Sequence, residues 1–217
     1  HPQVIDIMNN LGTLLNEMGR VEESAELLVE SLELRREVLG PEHPWTLHSM
    51  NNVASVLQAL GRLDEAEPLY RETVEGNRRL FGDDHPETLT SMNNLAFLLQ
   101  NQGRFDEAVD VYKEALEKQP NHGPSLAAMG HALKTIGRQE ESIDTYRDCI
   151  ARHPEFGEAY WALANLKTFR FSDEEVETDG SLAPSEYSVE IAEALAAAGP
   201  WGQAWPEPLF DGRFRVL

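Results

Sequence analysis

The chain has 217 residues, of which 38 are acidic and 18 basic, so its formal net charge at pH 7 is −20. Such a charge repels nucleic-acid phosphates and anionic membranes, and it favours a neutral or basic partner. A single cysteine, Cys149, excludes an internal disulfide and a cysteine-based zinc site, which fits a cytoplasmic protein. No apolar run is long enough to span a membrane.

The chain repeats itself at a 42-residue interval. Three short motifs recur at this interval. A His-Pro pair begins at His1, His43 and His85, a Met-Asn-Asn run begins at Met8, Met50 and Met92, and a Gly-Arg pair begins at Gly19, Gly61 and Gly103. A period of about 20 to 50 residues is typical of a solenoid, in which each unit covers the apolar face of its neighbour. The chain starts in phase with this repeat and without a methionine, so we expect it to be a piece of a longer protein.

Each unit contains two stretches of apolar residues at helical spacing, separated by a glycine. In the third unit the first stretch runs through Leu95 and Leu99 to Gly103, and the second runs through Ala108 and Tyr112. Each unit is therefore predicted to be a hairpin of two helices, and the fold class to be all-α.

The third unit resembles the tetratricopeptide repeat, whose pattern of residues it fills in order with Leu95, Ala96, Gly103, Ala108, Tyr112, Ala115 and Pro120. The 42-residue form, with Asn-Asn-Leu-Ala at residues 93–96, is similar to the repeat of kinesin light chains and their bacterial relatives over residues 1–119. The resemblance implies a right-handed superhelical solenoid that binds peptides and has neither a catalytic residue nor a cofactor.

Four repeats and a partial fifth are predicted within residues 1–168, with the units at about 1–42, 43–84, 85–120, 121–154 and 155–176. After Pro120 the interval shortens to 34, because Gly137 follows Gly103 at that distance. The fifth unit never reaches its glycine turn. Residues 158–175 resemble the end of the repeat region in bacterial tetratricopeptide sulfotransferases.

The last 41 residues differ in character from the repeats. Residues 177–184 are interpreted as a linker, and residues 185–217 as a helix followed by an irregular Pro- and Trp-rich tail. Residues 178–217 closely resemble a stretch of RecJ-type single-strand DNA exonucleases, without that family's catalytic Asp-His-His residues. Two unrelated resemblances in one chain indicate a gene fusion, a mis-joined gene or an artificial chimera.

The paired asparagines are the most informative polar feature, since asparagine is a poor helix former. The resemblance places the first helix of each repeat along a concave groove, with the second Asn of each pair gripping a peptide backbone; these are Asn10, Asn52 and Asn94. A hydrogen-bond ladder between repeats is the alternative interpretation. Other residues expected to line the groove are Thr13, Ser55, Phe97, His131, Gln58 and Gln100.

Two other functions stay open at this point. The array could be the non-catalytic recognition region of a larger enzyme, a sulfotransferase or a single-strand DNA exonuclease. It could also self-associate through its first repeat, where Ile5, Met8 and Leu15 have no preceding helix to cover them.

The three His-Pro pairs are interpreted as helix caps and not as metal ligands, because proline suits the first position of a helix. No metal site is predicted.

Overall fold

The computed structural model describes residues 2–165, where nine α-helices occur and no β-strand. The helices are α1 (Pro2–Glu17), α2 (Val21–Leu39), α3 (Pro44–Ala59), α4 (Leu63–Phe81), α5 (Pro86–Asn101), α6 (Phe105–Lys118), α7 (Gly123–Thr135), α8 (Gln139–Arg152) and α9 (Gly157–Ala164). The predicted all-α class is confirmed. The predicted linker, C-terminal helix and tail lie outside the described residues.

The chain divides into two compact units, His1–Ser142 and Ile143–Leu217. In the first unit each helix from α1 to α7 packs against the next, so that the helices form consecutive hairpins. The first helices of the hairpins, α1, α3, α5 and α7, also contact one another in sequence. One continuous apolar core extends through this unit from Ala25 to Leu133.

The turn inside each hairpin has the same construction, because a glycine with positive φ ends the first helix. The φ angles are 76°, 74°, 78° and 81° at Gly19, Gly61, Gly103 and Gly137. A residue without a Cβ adopts this conformation at no steric cost. The arginine after each glycine donates from Nε to a glutamate three residues later, in the pairs Arg20–Glu23, Arg62–Glu65, Arg104–Glu107 and Arg138–Glu141.

Histidine side chains cap three of the first helices. The Trp45 N–H donates to Nδ1 of His43, and the Glu87 N–H donates to Nδ1 of His85, each over 3.2 Å. His122 has the same function at α7. The interpretation of the His-Pro pairs as caps is confirmed for His43 and His85, while His1 lies outside the described residues. At both helices the imidazole itself supplies the acceptor for an unpaired helix N–H.

The second unit is described as far as Asn165 and contains the end of α8 together with α9. Cys149 is completely buried. Burial raises the pKa of the Cys149 thiol to about 11, and the charge of Glu158 acts in the same direction. The thiol is therefore protonated at neutral pH and a poor nucleophile. Within residues 2–165, no helix combines the length and the apolar character that crossing a membrane requires.

Candidate functional site

One face of the first helices carries side chains that the sequence predicts for the groove. We call it the first-helix face and define it by four equivalent positions, Thr13, Ser55, Phe97 and His131. Ser55 and His131 are exposed, and the Phe97 ring is 53% exposed. The half-buried Thr13 donates its hydroxyl to the Asn9 carbonyl of its own helix over 3.0 Å. The face is therefore a polar row with one large, accessible apolar side chain.

The paired asparagines form a hydrogen-bond ladder between repeats. Nδ2 of Asn52 donates to Oδ1 of Asn9 over 3.3 Å. One repeat later, Nδ2 of Asn94 donates to Oδ1 of Asn51 over 2.8 Å. In both bonds the second asparagine of one pair donates to the first asparagine of the preceding pair. Asn94 and Asn51 are both half-buried. The hydrogen-bond ladder between repeats, which was the alternative interpretation of these residues, is present in the structure.

The ladder has two different ends. At its C-terminal end the hydroxyl of Ser125 donates to Oδ1 of Asn93 over 2.6 Å, because the fourth repeat has no asparagine pair. At its N-terminal end Asn10 is exposed. Contact between a ligand and Asn10, Asn52 or Asn94 stays a prediction, and in the last two it would involve an amide that also holds the repeats together.

Gln100 uses both ends of its amide within the array. Its Nε2 donates to the Ala128 carbonyl over 2.9 Å, and its Oε1 accepts from the Tyr112 hydroxyl over 3.0 Å. Burial raises the pKa of Tyr112, so this hydroxyl keeps its proton at neutral pH. Gln100 thereby links α5 to α6 and α7. A ligand would compete with these bonds for the Gln100 amide, and Gln58, at the equivalent position of α3, is half-buried.

A cavity of about 240 Å³ opens between α3, α4 and α5. It combines aromatic walls with polar and acidic groups, contributed by Trp45, His48, Asn77, Phe81, Glu87 and Ser91. The Trp45 ring is 59% exposed. We call this space the α3–α5 cavity.

Two charged groups act on His48 in the wall of the α3–α5 cavity, the guanidinium of Arg35 and the carboxylate of Glu87. Burial lowers the pKa of His48, the charge of Arg35 lowers it further, and the charge of Glu87 opposes both effects. His48 is therefore neutral at pH 7. Among the residues that line the cavity, Glu87 is then the group with a formal charge, which favours a cationic or neutral occupant.

Sequence reasoning did not find this cavity. Pro44 and Asn51 belong to the repeated motifs, but other residues of the lining break the 42-residue pattern. Asn77 is at the position that Arg35 has one repeat earlier, and Glu87 is at the position that Trp45 has one repeat earlier. A comparison of the repeats for their differences, instead of their shared residues, would have singled out these positions.

Acidic side chains elsewhere in the first unit serve structural ion pairs. Glu67 accepts hydrogen bonds from Arg104 over 2.7 Å, from Gln102 over 3.0 Å and from Arg71 over 2.9 Å. Burial alone would raise the pKa of Glu67, but these three donors outweigh it and lower the pKa to about 2. Within the described part of the chain, no group of three or more His, Cys, Asp or Glu residues is arranged to hold a metal ion.

Comparison with known families identifies the repeats. A model described as tetratricopeptide repeat matches residues 3–78 and 49–121, and a second model with the same description matches residues 123–156. Together these matches cover more than half of the chain.

Solved structures show the same fold. The TPR-like repeats of a Podospora anserina protein described as a kinesin light chain superpose with a TM-score of 0.68 at 22% identity, over 91% of this chain and 96% of that one. BtubC (BKLC) from P. vanneervenii gives a TM-score of 0.64 at 21% identity, over 79% of this chain and 68% of that one. At these identities the likeness concerns the fold alone.

A short stretch is similar to an unrelated enzyme. The single-stranded-DNA-specific exonuclease RecJ of Escherichia coli K12 is 60% identical over 43 residues, which are 20% of this chain and 8% of the exonuclease. The resemblances to tetratricopeptide repeats of the kinesin light chain type and to RecJ are therefore confirmed, and the resemblance of residues 158–175 to sulfotransferases stays a prediction. A match to 8% of an enzyme assigns no catalytic domain to this chain.

Proposed function

The chain belongs to the tetratricopeptide repeat family, and on that premise we propose that it is a protein-interaction scaffold whose first-helix face binds an extended segment of a partner. The observation that carries the proposal is the exposure of Phe97. A large aromatic side chain that is 53% exposed, in a row whose equivalent residues are Ser55 and His131, is the kind of anchor on which binding energy concentrates.

The mechanism assigns different tasks to the amides and to the aromatic ring. The nitrogens of Asn52 and Asn94 donate to the ladder, so we assign their side-chain oxygens to backbone N–H groups of the bound segment. Phe97 then selects an apolar side chain. The net charge of −20 favours a neutral or basic segment over an acidic one.

The test is a peptide-library selection against the protein, followed by calorimetric titration of a selected peptide. Phe97→Ser, which installs the residue found at position 55, should weaken binding by about tenfold or more, because an exposed anchor contributes to binding and little to folding. The matched control is Leu80→Ser, which removes a 43%-exposed apolar side chain from α4 and should leave the affinity unchanged. Equal affinities of the wild type and Phe97→Ser would contradict the proposal.

A second candidate function is self-association through α1, and the structure corrects the residues involved. Ile5 is only 6% exposed and faces α2, where the Ser31 hydroxyl donates to the Ile5 carbonyl over 3.2 Å; Met8 and Leu15 are half-buried. The exposed apolar stripe consists instead of Val4, Ile7, Leu11, Leu14 and Met18.

This stripe has two properties that favour a helical hairpin as its occupant, and a second copy of the chain can supply one. Its members are spaced alternately by three and four residues, which is the spacing of a helix that packs along another helix. The equivalent residues of α3 are buried within the array, namely Thr46, Ser49, Val53 and Val56. The α1 stripe therefore corresponds to the face of later first helices that a neighbouring helical hairpin covers.

A further inference from the structure

The first repeat holds a buried guanidinium at a position that the second repeat leaves open. Arg35 of α2 is 2% exposed. Its Nη1 donates to the Trp45 carbonyl over 2.9 Å and to the Ser49 hydroxyl over 2.8 Å, and its Nη2 donates to Oδ1 of Asp6 over 2.7 Å. Its Cζ lies 5.7 Å from the centre of the Trp45 ring. The guanidinium is thus satisfied by a carboxylate, a carbonyl, a hydroxyl and an aromatic ring.

Asn77 occupies the equivalent position one repeat later. Its Nδ2 donates to the Glu87 carbonyl over 3.2 Å and to the Ser91 hydroxyl over 3.4 Å. These two acceptors follow the carbonyl and hydroxyl acceptors of Arg35 by 42 residues each. The amide of Asn77 therefore reproduces the inner contacts of Arg35. Because its side chain is shorter, the remaining space is the α3–α5 cavity.

The walls of the α3–α5 cavity still match a guanidinium. Glu87 supplies a carboxylate, and Trp45 and Phe81 supply aromatic surface. His48, neutral at pH 7, supplies a ring nitrogen that can accept a hydrogen bond. Glu87 takes the part that the Asp6 carboxylate has for Arg35, while Trp45 is the same ring that Arg35 contacts and Phe81 adds a second aromatic wall.

We propose that the α3–α5 cavity binds the side chain of an arginine from a partner peptide, in the place that Arg35 fills from within the chain one repeat earlier. This inference rests on the proposed function and specifies the partner's chemistry. An acidic side chain would be repelled by the Glu87 carboxylate. A lysine would satisfy the charge, but it has neither the planar stacking surface nor the fork of donors that suits Trp45 and a carboxylate together.

The direct test uses N-acetyl-arginine amide as the probe and amide chemical-shift changes as the readout. The expected result is a saturable shift of the amides of His48, Asn77 and Glu87. The citrulline analogue, which has the same shape without the charge, should bind about tenfold more weakly, because it loses a charge-assisted hydrogen bond and the cation–π contact. Equal responses to both probes, or no saturable response to the arginine probe, would overturn the inference.

Two variants locate the response in the cavity. Asn77→Arg combined with His48→Asp copies the first repeat's own Arg35–Asp6 pair into the cavity, so this variant should keep the helical fold and lose the probe's response. Glu87→Gln changes no shape and should weaken the arginine probe by about fivefold while leaving the citrulline probe unchanged. The inference would be overturned if the arginine probe bound both variants as tightly as it binds the wild type. If the double variant does not fold, unchanged binding of this probe to Glu87→Gln alone would overturn it.

The outcomes separate this inference from the proposed function. If selected peptides bind and Phe97→Ser weakens them, but the arginine probe gives no response, the cavity assignment fails and the peptide-binding proposal stands. If the probe binds and is lost in the variants, but no selected peptide depends on Phe97, the cavity assignment stands and the groove proposal fails.

Discussion

Polar side chains of the first helices hold the stack of repeats together. The side chains of Asn52 and Gln100 are predicted from the sequence as groove residues, and both hold neighbouring helices together through their amides. Ser55, Phe97 and His131 are exposed, and their part in a peptide groove stays a prediction. The partners of the asparagines do not follow from phase, because a bond between repeats depends on the distance between helices, which no pattern within one repeat specifies.

Glu67 provides a prediction at the residue scale. Its pKa of about 2 lies below its ordinary value of 4.5, so its ion pairs stabilise the fold above about pH 4.5 and lose this contribution as the pH falls toward 2. Glu67→Gln should therefore lower the free energy of unfolding by about 1 kcal/mol at pH 7, after allowance for solvent screening, and by much less near pH 2.

Urea unfolding at pH 7 and near pH 2 measures this difference. The control is Glu30→Gln, which changes an exposed glutamate of α2. If Glu67→Gln lowered the free energy of unfolding by the same amount at both pH values, the stabilising role of the Glu67 ion pairs would be contradicted.

At the scale of the helix, the sequence predicts the hairpins well because their ends are chemically marked. Glycines with positive φ and capping histidines occur where the pattern places the turns. The face of α1 is less predictable: Ile5, Met8 and Leu15 are all apolar, and so are their neighbours Val4, Ile7 and Leu14. Because apolar residues surround α1, only the position of α2 in the fold decides which of them are covered.

Self-association through the α1 stripe is the prediction that belongs to this scale. Light scattering at tens of micromolar should give the mass of a dimer for the wild type, and Leu11→Glu should give a monomer with unchanged helix content, since the side chain is already exposed. As the control, Val29→Glu alters an exposed apolar residue of α2 and should stay dimeric. A monomeric wild type would contradict the prediction.

The whole molecule combines a regular array with local departures from its repeat. The periodicity was sufficient to predict the fold class and the family, because each hairpin is built from local signals and covers its neighbour. The α3–α5 cavity was not predicted, because it arises where Asn77 is at the position of the longer Arg35, and this is a difference between the repeats and not a feature that they share. In this array the shared residues build the scaffold, and a difference between repeats creates the α3–α5 cavity.

The central claim is that a partner segment lies on the first-helix face, and site-specific photo-crosslinking tests it most directly. Benzoylphenylalanine replaces Ser55 on that face or, as the control, the exposed Glu117 of α6. With a peptide selected against the protein, the account predicts an efficient crosslink from position 55 and none from position 117. A crosslink from position 117 with none from position 55 would contradict it.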